Sequence, residues 1–262
     1  MEQYLDLETF PLDQPESGRY AGLIARCRGE LANGGLFNLD GFLRPEYAQA
    51  EADALRPAMN TVSFNHQRRH NIYFLKSVPD LAPDHPALAL RETSNDTLCA
   101  DQLGGSIIER IYNWTPLVTF LSAVMEKPAL FPMDDSLAKF NVMRYRTEQG
   151  LNWHFDRSEF TVTLLLQAPE NGGVFEYRTD LRTADDPNYQ GVAALLQGRD
   201  PQMQRMNVMP GTLNVFRGVN TPHRVTPVKG QDERMIAVLT YFEKPGAKFT
   251  EQEQLGFYGR IA

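Results

Sequence analysis

From Leu137 onward the chain is broken into short β-rich runs, LAKFNVMRYR, FTVTLLLQ, GGVFEYR, GTLNVFRG and RMIAVLTYFE, separated by EQG, PENGG, NVMPG and KGQDE. Val, Thr, Phe and Tyr fill the runs and Gly, Pro and Asn punctuate them, the pattern of many short strands joined by tight turns. Such strands must bury their apolar faces against one another, which points to a sandwich or a jelly roll, the architecture of the cupins. Residues 181–202 (LRTADDPNYQGVAALLQGRDPQ) interrupt the series with a predicted helical insertion. The first half has a different texture. Residues 45–59 (PEYAQAEADALRPAM) read as an amphipathic helix, and residues 97–125 offer one or two more, with Ile107, Ile108, Ile111 and Tyr112 at helical spacing. Between them SFNHQRRHNIYFLKSVPD reads as a loop or short strand carrying His66 and His70. The expectation is an α+β fold forming one domain over 1–262. Residues 1–136 would be mainly helical support and a lid over the substrate, and residues 137–262 the jelly-roll core.

Composition narrows the function. With 42% hydrophobic residues in 262 there is enough apolar material to enclose a pocket. The formal charge is −7, and no run of Lys and Arg supplies the basic patch that a phosphate backbone needs, so a nucleic acid is not the expected partner. No stretch approaches the ~20 apolar residues of a membrane span. The acidic opening MEQYLDLETFPLDQPE lacks the apolar region of a signal peptide. Cys27 and Cys99, two unclustered cysteines, read as reduced thiols in a cytosolic setting, with Cys99 in an Ala-Leu-rich helix and part of the core. The expected partner is a small molecule.

One constellation carries chemistry. His154-Phe155-Asp156 places an imidazole and a carboxylate at i and i+2, on one face if that segment is extended. His223, 69 residues later in GTLNVFRGVNTPHRVTPV, would complete a set of two His and one carboxylate. That set leaves three positions of an octahedron open, as suits iron(II) that binds a bidentate co-substrate and dioxygen. The competing reading of the dipeptide spacing is a surface His beside a solvated Asp. Eleven residues after His223, Arg234 opens the alternating strand RMIAVLTYFE and heads an otherwise apolar face with Ile236 and Val238. A guanidinium there would be costly unless a carboxylate meets it, and it is the natural bidentate partner for one. The competing reading has Arg234 capping a strand end beside Asp232 and Glu233.

H-F-D, then G-G-x-F-E, then G-x-L-x-V-F-x-G-x-x-x-x-H-R-V-x-P-V, then Arg234, in that order over residues 137–243, resembles the double-stranded β-helix of the iron(II)/2-oxoglutarate oxygenases. The resemblance implies that His154, Asp156 and His223 hold iron(II), and that Arg234 binds the distal carboxylate of 2-oxoglutarate. It also implies that Tyr145, nine residues before His154, hydrogen-bonds the co-substrate, with dioxygen as the oxidant. A narrower resemblance runs nearly end to end. HNIYFL at 70–75, LRET at 90–93, HFDRSEFTVTLLLQ at 154–167 and FYGR at 257–260 are similar to the group of free amino-acid hydroxylases and radical halogenases. Halogenases of this group have a small residue in place of the triad carboxylate. Asp156 therefore implies hydroxylation of an unactivated C–H bond, with desaturation or cyclisation as alternative outcomes. A non-catalytic cupin-like binding or sensing module is the reading from a different class.

The same resemblance implies two substrate contacts. Arg91 in LRET stands where an Arg from the helical half grips the substrate carboxylate, or is a solvated flanking residue. Arg157 stands where lysine-acting members carry an acid, so a substrate with a non-cationic side chain is expected whether Arg157 points inward or out to solvent. The remaining titratable residues read more plainly. His66 and His70 form a polar segment near the site entrance rather than a second metal pair, and His85 is a surface loop residue. Glu159 and Glu176 either orient a ligand or are solvated strand positions.

Overall fold

The computed structural model describes residues 1–79 and 81–262; Asp80, the last residue of the segment read as a loop or short strand, lies outside them. With strands numbered along the chain, a seven-stranded antiparallel sheet has the order β1 (Leu36–Leu39), β10 (Leu213–Phe216), β7 (Thr161–Gln167), β12 (Arg234–Leu239), β5 (Phe140–Tyr145), β3 (Arg91–Cys99) and β2 (Phe64–His70). A four-stranded sheet faces it, in the order β6 (Leu151–His154), β11 (His223–Val225), β8 (Phe175–Tyr177) and β9 (Gln204–Met206). A small pair, β4 (Phe131–Pro132) with β13 (Tyr241–Phe242), completes the strands. Two facing antiparallel sheets of this order form the jelly roll expected from the punctuated β-runs.

Helices cover the outer face of the large sheet. These are α1 (Gly18–Gly34), α2 (Pro45–Thr61), α3 (Ile107–Tyr112) and α4 (Thr115–Val124); α5 (Tyr189–Leu196) lies in the 181–202 insertion, and α6 (Glu251–Tyr258) is C-terminal. Their ends follow local chemistry. Ser17 accepts a hydrogen bond from the Tyr20 N–H to start α1, which stops at Gly35 with φ +74°, and proline opens α2. Buried side chains from α1 to α4 form one core with Val142, Val162, Leu164, Met235, Ala237 and Leu239 of the sheet. Alternation along β12 then decides the other side. Met235, Ala237 and Leu239 enter that core, while Arg234, Ile236 and Val238 turn toward the small sheet, the last two only half-buried.

Beside its helices the first half supplies β3 and the two edge strands of the large sheet, β1 and β2. The structure corrects two readings there. α-Helix does not begin near residue 97: β3 runs to Cys99, so this buried cysteine ends a strand, a single 3-10 turn follows at Ala100–Gln102, and the first α-helix of that stretch starts at Ile107. Arg91 accordingly opens a strand rather than sitting in a helical layer.

Candidate functional site

The two histidines meet because their strands pair. In the antiparallel β6/β11 ladder His223 lies directly opposite His154, and the ring centroids are 4.2 Å apart. Asp156 follows the end of β6, where its backbone N–H donates to the Gly218 carbonyl at 3.0 Å and keeps the segment aligned. Its carboxylate then faces both imidazoles, with Oδ1 3.3 Å from His154 Nε2 and Oδ2 3.5 Å from His223 Nε2. One nitrogen or oxygen of each of the three side chains lies within 4.8 Å of the others, the spacing of a metal-binding set.

Hydrogen bonds fix which ring nitrogen is presented. His154 Nδ1 donates to the Asn152 carbonyl at 2.8 Å and His223 Nδ1 to the Thr221 carbonyl at 3.0 Å. A carbonyl only accepts, so both Nδ1 atoms carry the hydrogen and both Nε2 lone pairs point at the shared centre. Burial pushes the His223 imidazole down to about 4, against the pull of Asp156, so the ring is neutral and able to ligate near neutral pH. Burial by itself raises the Asp156 carboxyl, but His223, His154 and Thr161 outweigh it and hold the group well below the usual carboxylate range. Two nitrogens and one carboxylate oxygen on one side of a centre are the donor set that iron(II) takes with open positions remaining.

The inner face of the large sheet closes the site from the other side. Thr161 of β7 donates to Asp156 Oδ2 at 2.5 Å, and the Phe216 ring of β10 stands edge-on to His223 at 4.7 Å. Arg234 lies directly opposite Tyr145 in the β12/β5 pair. Arg234 is 3% exposed, its Nε has no hydrogen-bond partner, and among the described residues it forms no ion pair. The strand-capping reading does not hold, because Glu233 bonds Arg56 at 2.5 Å and Arg144 at 3.4 Å, while Asp232 accepts from the Glu170 N–H. Burial lowers the guanidinium to about 10, which leaves it charged at neutral pH and without a counter-ion. Tyr145 is buried beside it, and its hydroxyl is pushed up to about 12 by burial. Its one hydrogen bond among the described residues is a weak 3.6 Å contact to Met143 Sδ.

The other candidate residues form no side-chain bond with the three ligands. Arg157 is exposed and bonds Glu253 at 2.5 Å, so it turns out to solvent. Arg91 is exposed and lines a groove of about 440 Å³ with Glu92, Glu148, Asn152 and Arg224. Glu176 is buried between Arg205 and Arg224 at 2.7 and 2.6 Å, and Glu159 pairs with Lys127 at 2.6 Å; neither orients a metal ligand. His85 caps a short turn, accepting from the Ala87 N–H. His70 stands nearer the centre than a place at the entrance implies: it is buried, bonds Thr93 Oγ1 at 2.8 Å, and its ring is 6.4 Å from that of His154. Thr161 and Gly218 were not singled out. The only signal for Gly218 is its place five residues before His223 in the motif, and for Thr161 its place five after Asp156.

Comparison with known proteins agrees with this geometry. The family described as Halogenase D matches residues 87–252. No curated protein matches the chain. Among solved structures, the chain is similar to a 2OG-Fe(II) oxygenase family oxidoreductase from Burkholderia pseudomallei, with 14% identity, TM-score 0.51 and coverage of 86% of this chain and 92% of that one. It is similar also to the non-heme alpha ketoglutarate dependent epimerase SnoN from nogalamycin biosynthesis, at 15% identity and TM-score 0.56 over 85% and 83% of the two chains. AviO1 from Streptomyces viridochromogenes Tue57 gives 16% identity and TM-score 0.56 over 86% and 96%. At such identities the likeness is one of fold.

Proposed function

Since the chain belongs to the halogenase D family and folds as the 2-oxoglutarate oxygenases do, we propose that it is an iron(II)- and 2-oxoglutarate-dependent dioxygenase. Its substrate on this reading is a free amino acid, or a small derivative, with a non-cationic side chain, hydroxylated at an unactivated C–H bond in the cytosol. The observation that carries the proposal is the buried, uncompensated Arg234 beside the His154-Asp156-His223 centre. A non-catalytic binding module has no use for both, whereas a co-substrate that chelates a metal and ends in a second carboxylate uses each.

Bound iron(II), with 2-oxoglutarate and dioxygen, supplies the oxidation of the C–H bond. The protein's own residues bind and orient. His154, Asp156 and His223 hold the metal through the two Nε2 atoms and the carboxylate, and Arg234 takes the far carboxylate of 2-oxoglutarate with the Tyr145 hydroxyl at its side. Phe216 and the apolar Ile236 and Val238 keep water from the space between the sheets. Asp156 also decides the outcome in a family named for halogenation: its charged oxygens stand where a small residue would leave room for chloride, so hydroxylation is the expected reaction. Arg91 remains the proposed grip on the substrate carboxylate. With Arg157 turned outward, the case against lysine rests on the missing acid at that position.

Succinate release and calorimetric binding test the reading together. His154→Ala or His223→Ala should abolish succinate formation and greatly weaken iron(II) binding while the circular dichroism spectrum stays native. Arg234→Gln should raise the 2-oxoglutarate requirement by a factor of ~100 or more, since removing one partner of a buried ion pair costs roughly 3–5 kcal/mol. An unchanged requirement, or chlorinated product from the wild-type protein in chloride buffer, would show the assignment to be wrong.

A further inference from the structure

β2 and β3 keep their acids to one face, where Arg69 stands opposite Glu92. Directly opposed residues of an antiparallel pair share a face, and the register sets His66 opposite Asn95, Arg68 opposite Thr93 and His70 opposite Arg91. This is the side turned to the metal-binding centre. The His70 ring is 6.4 Å from His154, Phe74 stacks on His70 at 4.4 Å, and the Arg68 guanidinium lies 5.1 Å over the Phe74 ring. Phe74, 42% exposed, holds φ +57°, an uncommon backbone angle for a bulky side chain. The opposite side takes the acids. Asp96 holds Arg144 at 2.9 Å and Arg146 at 3.0 Å, and Glu92 accepts from Gln67 at 2.6 Å.

No carboxylate of either strand therefore shares the inner face. Two cationic side chains do, and they differ. Arg91 lies in a groove whose lining includes Glu92 and Glu148. Arg68 is exposed and forms neither an ion pair nor a hydrogen bond among the described residues, and His66 Nδ1 on the same face is buried with no partner. Burial, reinforced by Arg68, keeps the His66 imidazole below its ordinary value, so it is a neutral donor. Its cross-strand partner Asn95 is 3% exposed and accepts from Thr97 Oγ1 at 2.8 Å through Oδ1, while its Nδ2 donates to no protein atom among the described residues.

Building on the oxygenase reading, we propose that Arg68, with His66 and Asn95, forms a subsite for an anionic end of the substrate, so that the preferred substrate carries a carboxylate on its side chain. Arg68 supplies the charge, and the His66 imidazole and the Asn95 amide supply neutral donors to the carboxylate oxygens. A cationic side chain would meet Arg68 with no acid to offset it.

The test compares aspartate and glutamate with their isosteric amides and with lysine, by calorimetry on the protein loaded anaerobically with iron(II) and 2-oxoglutarate. The expected result is at least a tenfold preference for acid over amide. Arg68→Gln should erase the preference, and Arg68→Glu should reverse it toward lysine. His66→Ala should weaken acid binding, with His66→Gln restoring part of it. Equal binding of acid and amide by the wild-type protein, or an acid preference that survives Arg68→Glu, would overturn the proposal. Iron(II) and 2-oxoglutarate binding, measured first, judge the oxygenase reading separately. If they fail to bind, the same Arg68→Glu comparison on the unloaded protein still decides the subsite.

Discussion

Gly218 has no room for a side chain: a Cβ built there would lie 2.2 Å from Asp156 Oδ2 and 2.7 Å from its Cβ. Its backbone angle is one that any residue can adopt, so the demand is for space beneath the ligand and not for a left-handed turn. Gly218→Ala must therefore push the carboxylate away from the two Nε2 atoms or break the bond from the Asp156 N–H to the Gly218 carbonyl. Changes behind a ligand typically cost 10–100-fold in metal affinity. Iron(II) titration of Gly218→Ala should show a loss of that order with the melting temperature lowered only slightly, and unaltered iron affinity would refute the packing argument. The ligands themselves were legible because their chemistry is written in residue type and spacing: His154 with Asp156 two places on, and Arg234 heading an apolar face. Gly218 and Thr161 were not, because each acts through an approach of β7 and β10 to the loop after β6 that no local pattern encodes.

Two of the polar contacts around the C-terminal helix α6 differ in weight. Arg157 reaches Glu253 across an exposed pair, and such pairs contribute about 0–1 kcal/mol. Asp135, by contrast, is 2% exposed and accepts four hydrogen bonds, from the backbone N–H groups of Leu137, Ala138 and Phe249 and from Gln254 Nε2. Burial raises its carboxyl, but these donors outweigh it and the net shift is downward from 3.8. A group lowered on folding contributes stability above its unfolded pKa and loses it as pH falls through the lower folded value. Asp135→Asn should thus lower stability at neutral pH by about 1.5–3 kcal/mol and flatten the acid limb of the profile, followed by melts at a series of pH values. Arg157→Ala should do neither, and should leave substrate preference as it is; a changed preference would mean that Arg157 reaches the substrate after all. At this scale the β-runs after Leu137 and the helix from Pro45 could be read directly. β3 could not. Its inner face lines the site with Thr93 and Asn95 and its outer face carries Asp96, so it lacks the apolar alternation that announces a strand.

The division into a helical half and a β half does not survive in three dimensions. β1 pairs with β10 and β3 with β5, so the large sheet takes both of its edges from residues before Leu137. The principal core runs from Leu5 to Leu239, and most of its members, among them Leu31, Phe37, Phe42, Leu117 and Phe120, come from the first half. We propose on this ground that residues 1–262 form one folding unit. Each fully buried Leu or Phe is worth ~1.5–3 kcal/mol, so the contacts that the first half makes with the sheet exceed the 5–15 kcal/mol net stability of an ordinary domain. A fragment of residues 137–262 would also leave β10 and β5 as open edges and the outer face of β12 and β7 bare to water, the condition that favours aggregation over folding. The fragment should therefore be unfolded or aggregated by circular dichroism and should bind no iron(II), although it contains His154, Asp156, His223 and Arg234. The full chain should unfold in one calorimetric transition. A soluble fragment that binds iron(II), or two separated transitions in the full chain, would show that the jelly roll stands alone and that the first half is an accessory. The site's dependence on the first half gives the same expectation independently, since the His70 ring packs near His154, and Asn152 Nδ2 donates to the His70 carbonyl at 3.3 Å.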